Sequence, residues 1–363
     1  MDRLVVYGAY GYSGALIARE ASDRGLPLLL SGRDPDRLAA LSSELGAPWD
    51  ACALDDAEGL RRLLATATGV LHCAGPFHRT WRAMADACLA TGTHYLDITG
   101  EAEVFEALAA RSAEASAAGV MLLPGVGFDV VPSDCLAAHL ARRLPGATRL
   151  TLAFDAGGRP SRGTARTAVE HLHEGGLVRR GGALTRVPLA AAVRQIDFGE
   201  GPRTAALIPW GDVATAWHTT GIPDIEVYMA MPPRQVRRLR RLRWVRPLLG
   251  LGPVQRLLAR GVDRRPPGPS AERLAHGVTR QWGEVVDAAG ARAVSRQQGP
   301  QAYRWTALTA VAAAERVLAG DAPPGFRTPA GAYGADFVLQ IEGVSREDVP
   351  TDRTSGGSLD VEP

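Results

Sequence analysis

The sequence contains no lysine, and all 41 of its basic residues are arginine. This absence excludes Schiff-base chemistry through a lysine and the phosphate-binding lysine of a Walker A loop. It also excludes the Tyr-x-x-x-Lys pair used by the short-chain dehydrogenases. Acidic residues number 39, so the formal net charge is only +2, which argues against general nucleic-acid binding.

Cysteine is scarce, with Cys52, Cys73, Cys88 and Cys135 each standing alone in the chain. There is no C-x-x-C or Cys/His cluster, so we predict no metal site and no disulfide, and we interpret the four as small buried apolar residues. No apolar run approaches the roughly 18 residues needed to span a bilayer, and the first residues lack a signal-peptide pattern. We therefore expect a cytoplasmic protein.

Length and composition are typical of a globular protein with two domains: 363 residues, 46% hydrophobic and 22% charged. Strand-like and helix-like segments alternate over residues 1–130, which predicts a doubly wound parallel sheet and an α/β fold. We predict strands at 4–7, 27–31, 50–54, 69–73, 94–98 and 120–124, and helices at 12–24, 34–45, 56–65, 79–91 and 102–118.

A second, mixed α/β domain is predicted for residues 131–325, followed by a return segment at 326–350 and a disordered tail at 351–363. Its predicted elements are helices at 133–143, 162–175 and 302–319, strands at 148–155, 186–198, 203–209 and 224–231, and a hairpin over 277–298 that turns at Ala288 to Gly290.

The segment GAYGYSG, Gly8 to Gly14, lies between an apolar strand and a helix-like stretch. In that context Gly8 permits a tight turn, Gly11 lets backbone N–H groups approach a pyrophosphate, and Gly14 lets the helix pack close to the sheet. The pattern predicts a dinucleotide-binding loop. Its candidate cofactor-binding residues are Gly8, Tyr10, Gly11, Tyr12, Ser13 and Gly14.

The second strand ends in Ser31 and Arg33, with Arg37 one helical turn further on. In NAD-selective folds an acid at this position binds the ribose 2′-hydroxyl. A guanidinium binds a phosphate through paired hydrogen bonds, so Ser31, Arg33 and Arg37 favour the 2′-phosphate of NADP. The alternative is a solvated arginine neutralised by Asp34 and Asp36.

Two later loops also lie where a cofactor would bind. The loop after the fourth strand is predicted to bracket the nicotinamide ribose through Cys73, Ala74, Gly75, Pro76 and Phe77. The alternative is a plain strand-to-helix turn. Asp55, after the third strand, is a candidate near the adenine or an exposed helix cap.

Two acids follow later strands, Asp97 in YLDITGE and Asp129 in GVGFDVVP. A carboxylate would stabilise an iminium before hydride arrives, and an enolate would need a proton donor. Tyr95 is a candidate donor beside the two acids, as are His72, His78 and His94. Capping or ion pairing is the alternative for the acids, and a structural role is favoured for the histidines.

In the second domain, Arg162 and Arg166 are four residues apart on one predicted helical face, a spacing that could grip a substrate carboxylate or phosphate. An interdomain salt bridge is the alternative. Trp210 could line the substrate pocket, although a core role is common for tryptophan.

The segment from Arg234 to Arg246 combines seven arginines with an apolar residue at about every third position. One interpretation is an amphipathic helix with a solvated basic face. The others are contact with an acidic acyl carrier or CoA-bearing substrate, or with a membrane surface.

Taken together, these loops resemble the saccharopine dehydrogenase-like reductases, including their trans-acting enoyl reductase branch. The motifs that carry the resemblance are GAYGYSG, SGRDPDRL, CAGPF, HYLDITGE, PGVGFDVVPSD, SRGTAR, IPWGDV and AYGADFVL. The resemblance implies an NADP-binding Rossmann domain at 1–130, followed by a substrate and dimerisation domain. It leaves the substrate open, because fold analogy does not define function.

We therefore expect an NADPH-dependent oxidoreductase, a homodimer, that reduces a conjugated C=C bond in a small-molecule or carrier-bound acyl substrate. The enzymatic alternative is reduction of C=N, or amine oxidation, of the saccharopine type. The alternative of another class is a non-catalytic NADP sensor or scaffold.

Overall fold

The computed structural model describes residues 3–158, 161–264, 266 and 268–350. The tail predicted at 351–363 lies outside these residues. The predicted fold class is confirmed: a parallel Rossmann-type sheet is followed by a second, mixed sheet.

The strands of the first sheet are β1 Leu4–Tyr7, β2 Leu28–Gly32, β3 Trp49–Ala51, β4 Gly69–His72, β5 His94–Asp97, β6 Met121–Leu123 and β15 Gly325–Phe326. Within the described residues these seven strands lie in the order β15–β6–β5–β4–β1–β2–β3, and every pair is parallel. The strand order reverses between β1 and β4. Dinucleotides bind at such a switch point, beyond the carboxyl ends of the strands.

Helices cover both faces of this sheet, as its buried apolar strands require. They are α1 Tyr12–Asp23, α2 Pro35–Leu45, α3 Ala57–Leu64, α4 Phe77–Thr91, α5 Ala102–Ala109, α6 Ser112–Ala117 and α14 Ala302–Leu318. One core lies under α1, α2 and α14, with Ile17, Leu38 and Val311 at its centre. The other lies under α3, α4 and α5, around Leu60 and Trp81.

Most predicted elements of this sheet are present, with three differences. The predicted helix over 102–118 is two helices, α5 and α6. The third strand is shorter than predicted. The seventh strand, β15, was not predicted, because its two residues join the sheet only through distant backbone partners, as when the Gly325 N–H donates to the Val120 carbonyl.

The second sheet contains β7 Ala147–Asp155, β8 Gly176–Arg180, β9 Ala183–Val187, β10 Val193–Asp197, β11 Pro202–Leu207, β12 Asp224–Ala230, β13 Val278–Asp287, β14 Arg292–Pro300 and β16 Ser345–Val349. Its main order in the described chain is β10–β11–β12–β7–β13–β14–β16, with β8 beside β12 and β9. Only the β12–β7 pair is parallel. The predicted hairpin turning at 288–290 is confirmed as β13 and β14.

The remaining helices are α7 Val131–Arg143, α8 Arg162–Glu170, α9 Asp212–Thr220, α10 Pro233–Leu242, α11 Arg246–Leu249, α12 Gly252–Asp263, α13 Ala271–His276 and α15 Pro329–Tyr333. Short 3₁₀ turns lie at Leu172–Glu174, Arg243–Val245 and Phe337–Gln340. The single strand predicted at 186–198 is wrong, since that stretch ends β9, forms a loop and begins β10. Among the described residues, no helix is long and apolar enough to cross a membrane.

Candidate active site

The glycine loop between β1 and α1 has room only for glycine at two of its positions. Gly8 has φ +79°, and a Cβ there would lie 2.9 Å from the backbone nitrogen of Ala74. A Cβ on Gly14 would lie 2.3 Å from the Gly8 carbonyl oxygen. Helix α1 begins at Tyr12, and its N-cap Gly11 has no side chain to occupy the first N–H groups. These groups, together with the partly exposed Ser13, are available to an anion such as a pyrophosphate.

Two aromatic residues of the loop hold it in place. The Tyr10 hydroxyl accepts a hydrogen bond from the Arg33 N–H at 3.2 Å. The Tyr12 ring lies edge-on to Tyr303, with 5.2 Å between centroids, and its hydroxyl donates to the Pro269 carbonyl at 3.3 Å. The segment around Pro269 therefore lies against the entrance of the loop.

Arg33 and Arg37 differ in how their guanidinium groups are used. Arg33 is exposed at the end of β2, and its guanidinium forms no hydrogen bond or ion pair within the described part of the chain, including none with Asp34 or Asp36. Arg37 donates to the Tyr10 carbonyl at 2.9 Å and lies over the Tyr10 ring. Arg33 is thus the group free to bind a 2′-phosphate.

Two other polar residues of this half have different surroundings. Ser31 is buried, and its hydroxyl donates to the Asp50 carbonyl at 2.8 Å, which supports a structural role. Asp55 is exposed, and the cap of α3 is its neighbour Asp56, whose carboxylate accepts from the Gly59 N–H at 2.8 Å. Asp55 is therefore not the cap of α3, and its place near the adenine stays a prediction.

The loop after β4 lies directly beside the glycine loop. The Cys73 N–H donates to the Tyr7 carbonyl at 2.8 Å, and Ala74 lies against Gly8. Gly75 is exposed, and the Gly75–Pro76 peptide bond is cis. Burial raises the pKa of the Cys73 thiol, so the thiol stays protonated and unreactive.

Sequence reasoning did not identify Glu101, the residue that organises the start of α4. Its two carboxylate oxygens accept from the N–H groups of Phe77 at 2.8 Å and His78 at 2.9 Å. The His78 Nδ1 also donates to it, at 2.9 Å. Phe77 in turn packs edge-on against His72. Glu101 ends the DITGE motif, so its position was visible in the sequence, but its partner helix was not.

His78, Glu101 and His171 bring potential metal ligands within 4.8 Å of one another. His78 and Glu101 are already engaged, because Arg79 Nε donates to His78 Nε2 at 3.1 Å and Glu101 caps α4, whereas His171 Nε2 is buried with no hydrogen-bond partner among the described residues. The positive charge of Arg79 further disfavours a cation. We interpret the cluster as a hydrogen-bonded group that stabilises the start of α4, and not as a metal centre.

At the end of β5, Asp97 is fully buried and hydrogen bonded by three donors. The Tyr95 hydroxyl donates to Oδ2 at 2.5 Å, and the N–H groups of Thr99 and Gly125 donate to Oδ1 at 2.9 and 2.8 Å. Burial raises the pKa of Asp97 to about 6, against the lowering effect of these bonds. This geometry favours a structural role for both Asp97 and Tyr95, because their polar atoms point at each other inside the fold.

The other predicted donors have structural surroundings. Burial lowers the pKa of His72 to about 3, so the ring is neutral, and its Nε2 lies 3.0 Å from the Thr80 hydroxyl. His94 Nδ1 accepts from the Met121 N–H at 3.0 Å. Neither imidazole is placed to supply a proton to a cleft.

Asp129, in the loop between β6 and α7, differs from Asp97 in its hydrogen bonds. Its carboxyl group forms no hydrogen bond within the described residues, although the residue is only partly exposed. Burial raises the pKa of Asp129 to about 7. The carboxylate packs over Gly100, where an added Cβ would lie 2.9 Å from Oδ2. An unpartnered acid with a pKa near neutrality, beyond the ends of β5 and β6, has the properties of a proton donor.

Trp210, which follows β11 of the second sheet, contacts Asp129. Its Nε1 donates to the Asp129 carbonyl at 2.9 Å, and its ring packs on Phe154 with centroids 4.8 Å apart. Nearby, Asp212 is buried and accepts from the Ser133 hydroxyl at 2.7 Å, and burial raises its pKa well above the usual range. The region beside Asp129 therefore combines the aromatic rings of Trp210 and Phe154 with a second buried acid, Asp212.

Arg162 and Arg166 lie in the first turns of α8, and both are exposed. Arg166 forms an ion pair with Asp263 at 2.6 Å, a contact within the second part of the chain rather than between domains. This pairing leaves Arg162 as the more available of the two guanidinium groups.

Three features indicate a dinucleotide-binding protein of the Rossmann class: the strand order of the first sheet, the close packing at Gly8 and Gly14, and the guanidinium of Arg33, unpartnered within the described chain. Comparison with known families agrees: residues 4–123 match the model of the family described as the saccharopine dehydrogenase NADP binding domain. The resemblance read from the loops is thereby confirmed, and NADP is the cofactor of this domain family. The steric cradle at Gly8 and Gly14 and the unpaired Arg33 fit that cofactor.

Curated relatives match about two-fifths of the chain. A trans-acting enoyl reductase of Mycobacterium ulcerans is 32% identical over 148 residues, which is 39% of this chain and 35% of the relative. A saccharopine dehydrogenase-like oxidoreductase of Rattus norvegicus is 30% identical over 166 residues, covering 40% of this chain and 38% of the relative. The matches thus span little more than a third of these relatives' own length.

Among solved structures, the apo saccharopine dehydrogenase (L-Glu forming) of Saccharomyces cerevisiae superposes with a TM-score of 0.65. The likeness covers 96% of this chain and 100% of that one, at 10% sequence identity. At this identity the likeness shows a shared fold across both sheets, and it does not transfer a substrate.

Proposed function

We propose that this protein is an NADPH-dependent reductase in which Asp129 donates the proton that completes the reaction. The observation that carries the proposal is the Asp129 carboxyl group, unpartnered among the described residues and with a pKa raised to about 7. Its position beyond β5 and β6 is on the second half of the Rossmann sheet. In dinucleotide-binding folds the second mononucleotide lies on this half, and here it would be the nicotinamide.

The chain's residues would divide the work as follows. The N–H groups at the start of α1 bind the pyrophosphate, Arg33 binds the 2′-phosphate, and the loop from Cys73 to Phe77 holds the nicotinamide side. Bound NADPH supplies the hydride. Trp210 and Phe154 limit water around the acceptor.

We favour a conjugated C=C bond in an acyl thioester as the acceptor. Hydride adds at the β-carbon, the π electrons move to the thioester oxygen, and Asp129 transfers its proton to the α-carbon of the resulting enolate. The aspartate then regains a proton from water. Support comes from Asp129 itself and from the relatives named as trans-acting enoyl reductases.

A C=N acceptor is the second candidate, because an ionised Asp129 would also stabilise an iminium ion before hydride transfer. The two candidates need opposite protonation states of one residue. The enoyl reaction requires the acid and the iminium reaction the carboxylate.

The test is to assay the purified full chain for oxidation of NADPH, against NADH, with a panel of 2-enoyl-CoA thioesters and a panel of cyclic imines. We expect turnover of enoyl thioesters with a preference for NADPH. Turnover of imines alone would replace the first candidate with the second. Binding of NADPH without turnover on either panel would contradict both and favour a non-catalytic NADP-sensing role.

A further inference from the structure

Between β12 and β13 the chain forms a helical segment, residues 233–263, that contains α10, α11 and α12. We call it the arginine segment, because it carries nine arginines and a single acid, Asp263. Nothing in the proposed reaction uses it. Its charge and its exposed apolar side chains nevertheless need an explanation.

The apolar side chains that protrude most from the described protein lie in this segment. Trp244 is 90% exposed, Leu257 67%, Leu248 54% and Leu251 51%. Exposure at this level means that the side chains project from the surface and do not line a groove. Leaving them in water is unfavourable by about 25 cal/mol per Å² of apolar area relative to burial. These four exposed apolar side chains therefore indicate a surface that is buried against a partner when the protein functions.

The segment is packed onto the body of the protein, so these side chains are displayed on a fixed support. Val236, Leu249 and Val262 are buried. The Gln255 side-chain amide donates to the Val169 carbonyl at 3.1 Å and to the Leu249 carbonyl at 2.6 Å. One set of apolar residues thus attaches the segment, and a different set is left exposed.

The positive charge of the segment is not neutralised internally. Its one acid, Asp263, pairs with Arg166 of α8. Arg243 donates to the carbonyls of Leu189 and Ala190, which are uncharged acceptors. Across the described chain, no arginine of this segment forms an ion pair. Exposed guanidinium groups such as Arg237 and Arg241 therefore remain available to an external anion.

We propose that the arginine segment docks the protein onto an anionic membrane surface. Tryptophan and leucine side chains at protruding positions enter the boundary between headgroups and acyl chains, while arginines beside them bind lipid phosphates. An acidic carrier protein would satisfy the charge but would leave the projecting Trp244, Leu248 and Leu257 without a matching hydrophobic layer. This docking does not depend on the catalytic proposal.

The test measures co-sedimentation of the full chain with vesicles of phosphatidylcholine containing phosphatidylglycerol, compared with phosphatidylcholine alone, at low and high salt. We expect binding to the anionic vesicles that weakens with salt. Two variants probe the two components: Trp244→Ala for insertion, and Arg237→Glu with Arg241→Glu for charge. The double arginine variant should lower the partition coefficient by at least about tenfold, since each of its two basic residues contributes about 1 kcal/mol near an anionic surface. Trp244→Ala should also lower the partition coefficient, because it removes apolar area from the membrane boundary.

Matched controls change the same residue types elsewhere on the surface: Trp49→Ala, and Arg62→Glu with Arg149→Glu. These should bind vesicles like the unchanged protein, and circular dichroism verifies that every variant is folded. Three results would overturn the proposal: no binding to anionic vesicles, equal loss in the controls, or retention of a purified acidic carrier protein through Arg237 and Arg241 without vesicle binding.

Discussion

Asp97, at the end of β5, is fully buried, and Asp129, in the loop after β6, is partly exposed; the two carboxyl groups have opposite hydrogen-bond surroundings. Asp97 accepts hydrogen bonds from Tyr95, Thr99 and Gly125, whereas the carboxyl of Asp129 accepts none from the described residues. Burial raises the pKa of both, to about 6 and about 7. The number of hydrogen bonds that a carboxyl group accepts therefore distinguishes the two acids. Asp97 holds neighbouring loops together, whereas the carboxyl group of Asp129 remains available to a substrate.

The same distinction applies at the adenosine end. Arg37 is engaged by Tyr10, and the guanidinium of Arg33, four residues earlier, has no partner in the described chain. In the sequence Arg33 was the leading candidate for the 2′-phosphate, and Arg37 was a further candidate one helical turn on. The contrast between hydrogen-bonded and unpartnered side chains can therefore be tested at the two aspartates and at the two arginines.

The largest expected effect is on turnover after Asp129→Asn. The amide is similar in shape but donates no acidic proton, so we expect kcat to fall by about a hundredfold to ten-thousandfold. Stability should change little. The measurement is steady-state oxidation of NADPH, and Asp23→Asn, an exposed site at the end of α1, is the control. Unchanged kcat in Asp129→Asn would show that hydrogen-bond freedom does not identify the proton donor.

The pH profile sharpens the same assignment. A pKa of about 7 for Asp129 means that the acid form is present below pH 7 and is lost above it. If the acid is the reactive form, kcat/KM is constant at low pH and falls tenfold per unit above about pH 7. This limb should disappear in Asp129→Asn. A fall toward low pH would instead assign the carboxylate, as the iminium reaction requires.

For Asp97 the expected loss is in stability. Asp97→Ala leaves the Tyr95 hydroxyl and the N–H groups of Thr99 and Gly125 buried without their acceptor, which costs about 3 kcal/mol or more. Denaturant unfolding measures this loss. Tyr95→Phe removes one bond only and should cost about 1 kcal/mol, with kcat retained. If Tyr95→Phe is stable but has lost most of its kcat, Tyr95 is a catalytic residue. Hydrogen-bond saturation would then not distinguish structural from catalytic residues in this site.

The last prediction concerns the preference for NADPH over NADH, where we expect a smaller change than in the acids. Arg33→Ala should raise KM for NADPH by about tenfold to a hundredfold, since a hydrogen bond to a charged group is worth about 1.5–3 kcal/mol. KM for NADH should not change, because NADH lacks the 2′-phosphate. Arg37→Ala is the matched control. We expect it to change the ratio of KM for NADPH to KM for NADH by a smaller factor than Arg33→Ala does. Equal effects of the two substitutions would mean that both guanidinium groups bind the phosphate.

Local sequence patterns were sufficient to predict the glycine loop, the alternation of strands and helices in the first sheet, and the family resemblance. These features depend on residues that are close in the chain, so side-chain type and spacing are enough to predict them. The turn off β1 needs Gly8 and the start of α1 needs Gly14, and both lie within seven residues. The order of the strands then follows from short right-handed connections.

Only the tertiary structure distinguished Asp129 from Asp97, Arg33 from Arg37 and Glu101 from any other surface acid. Asp97 is saturated because the Gly125 N–H reaches it from the end of the next strand, and Glu101 caps a helix that begins 24 residues earlier in the chain. β15, at residues 325–326, joins the first sheet beside β6 although about 200 residues separate the two strands in the chain. Each of these facts depends on which distant groups folding brings within hydrogen-bond distance, and local sequence patterns carry no information about that.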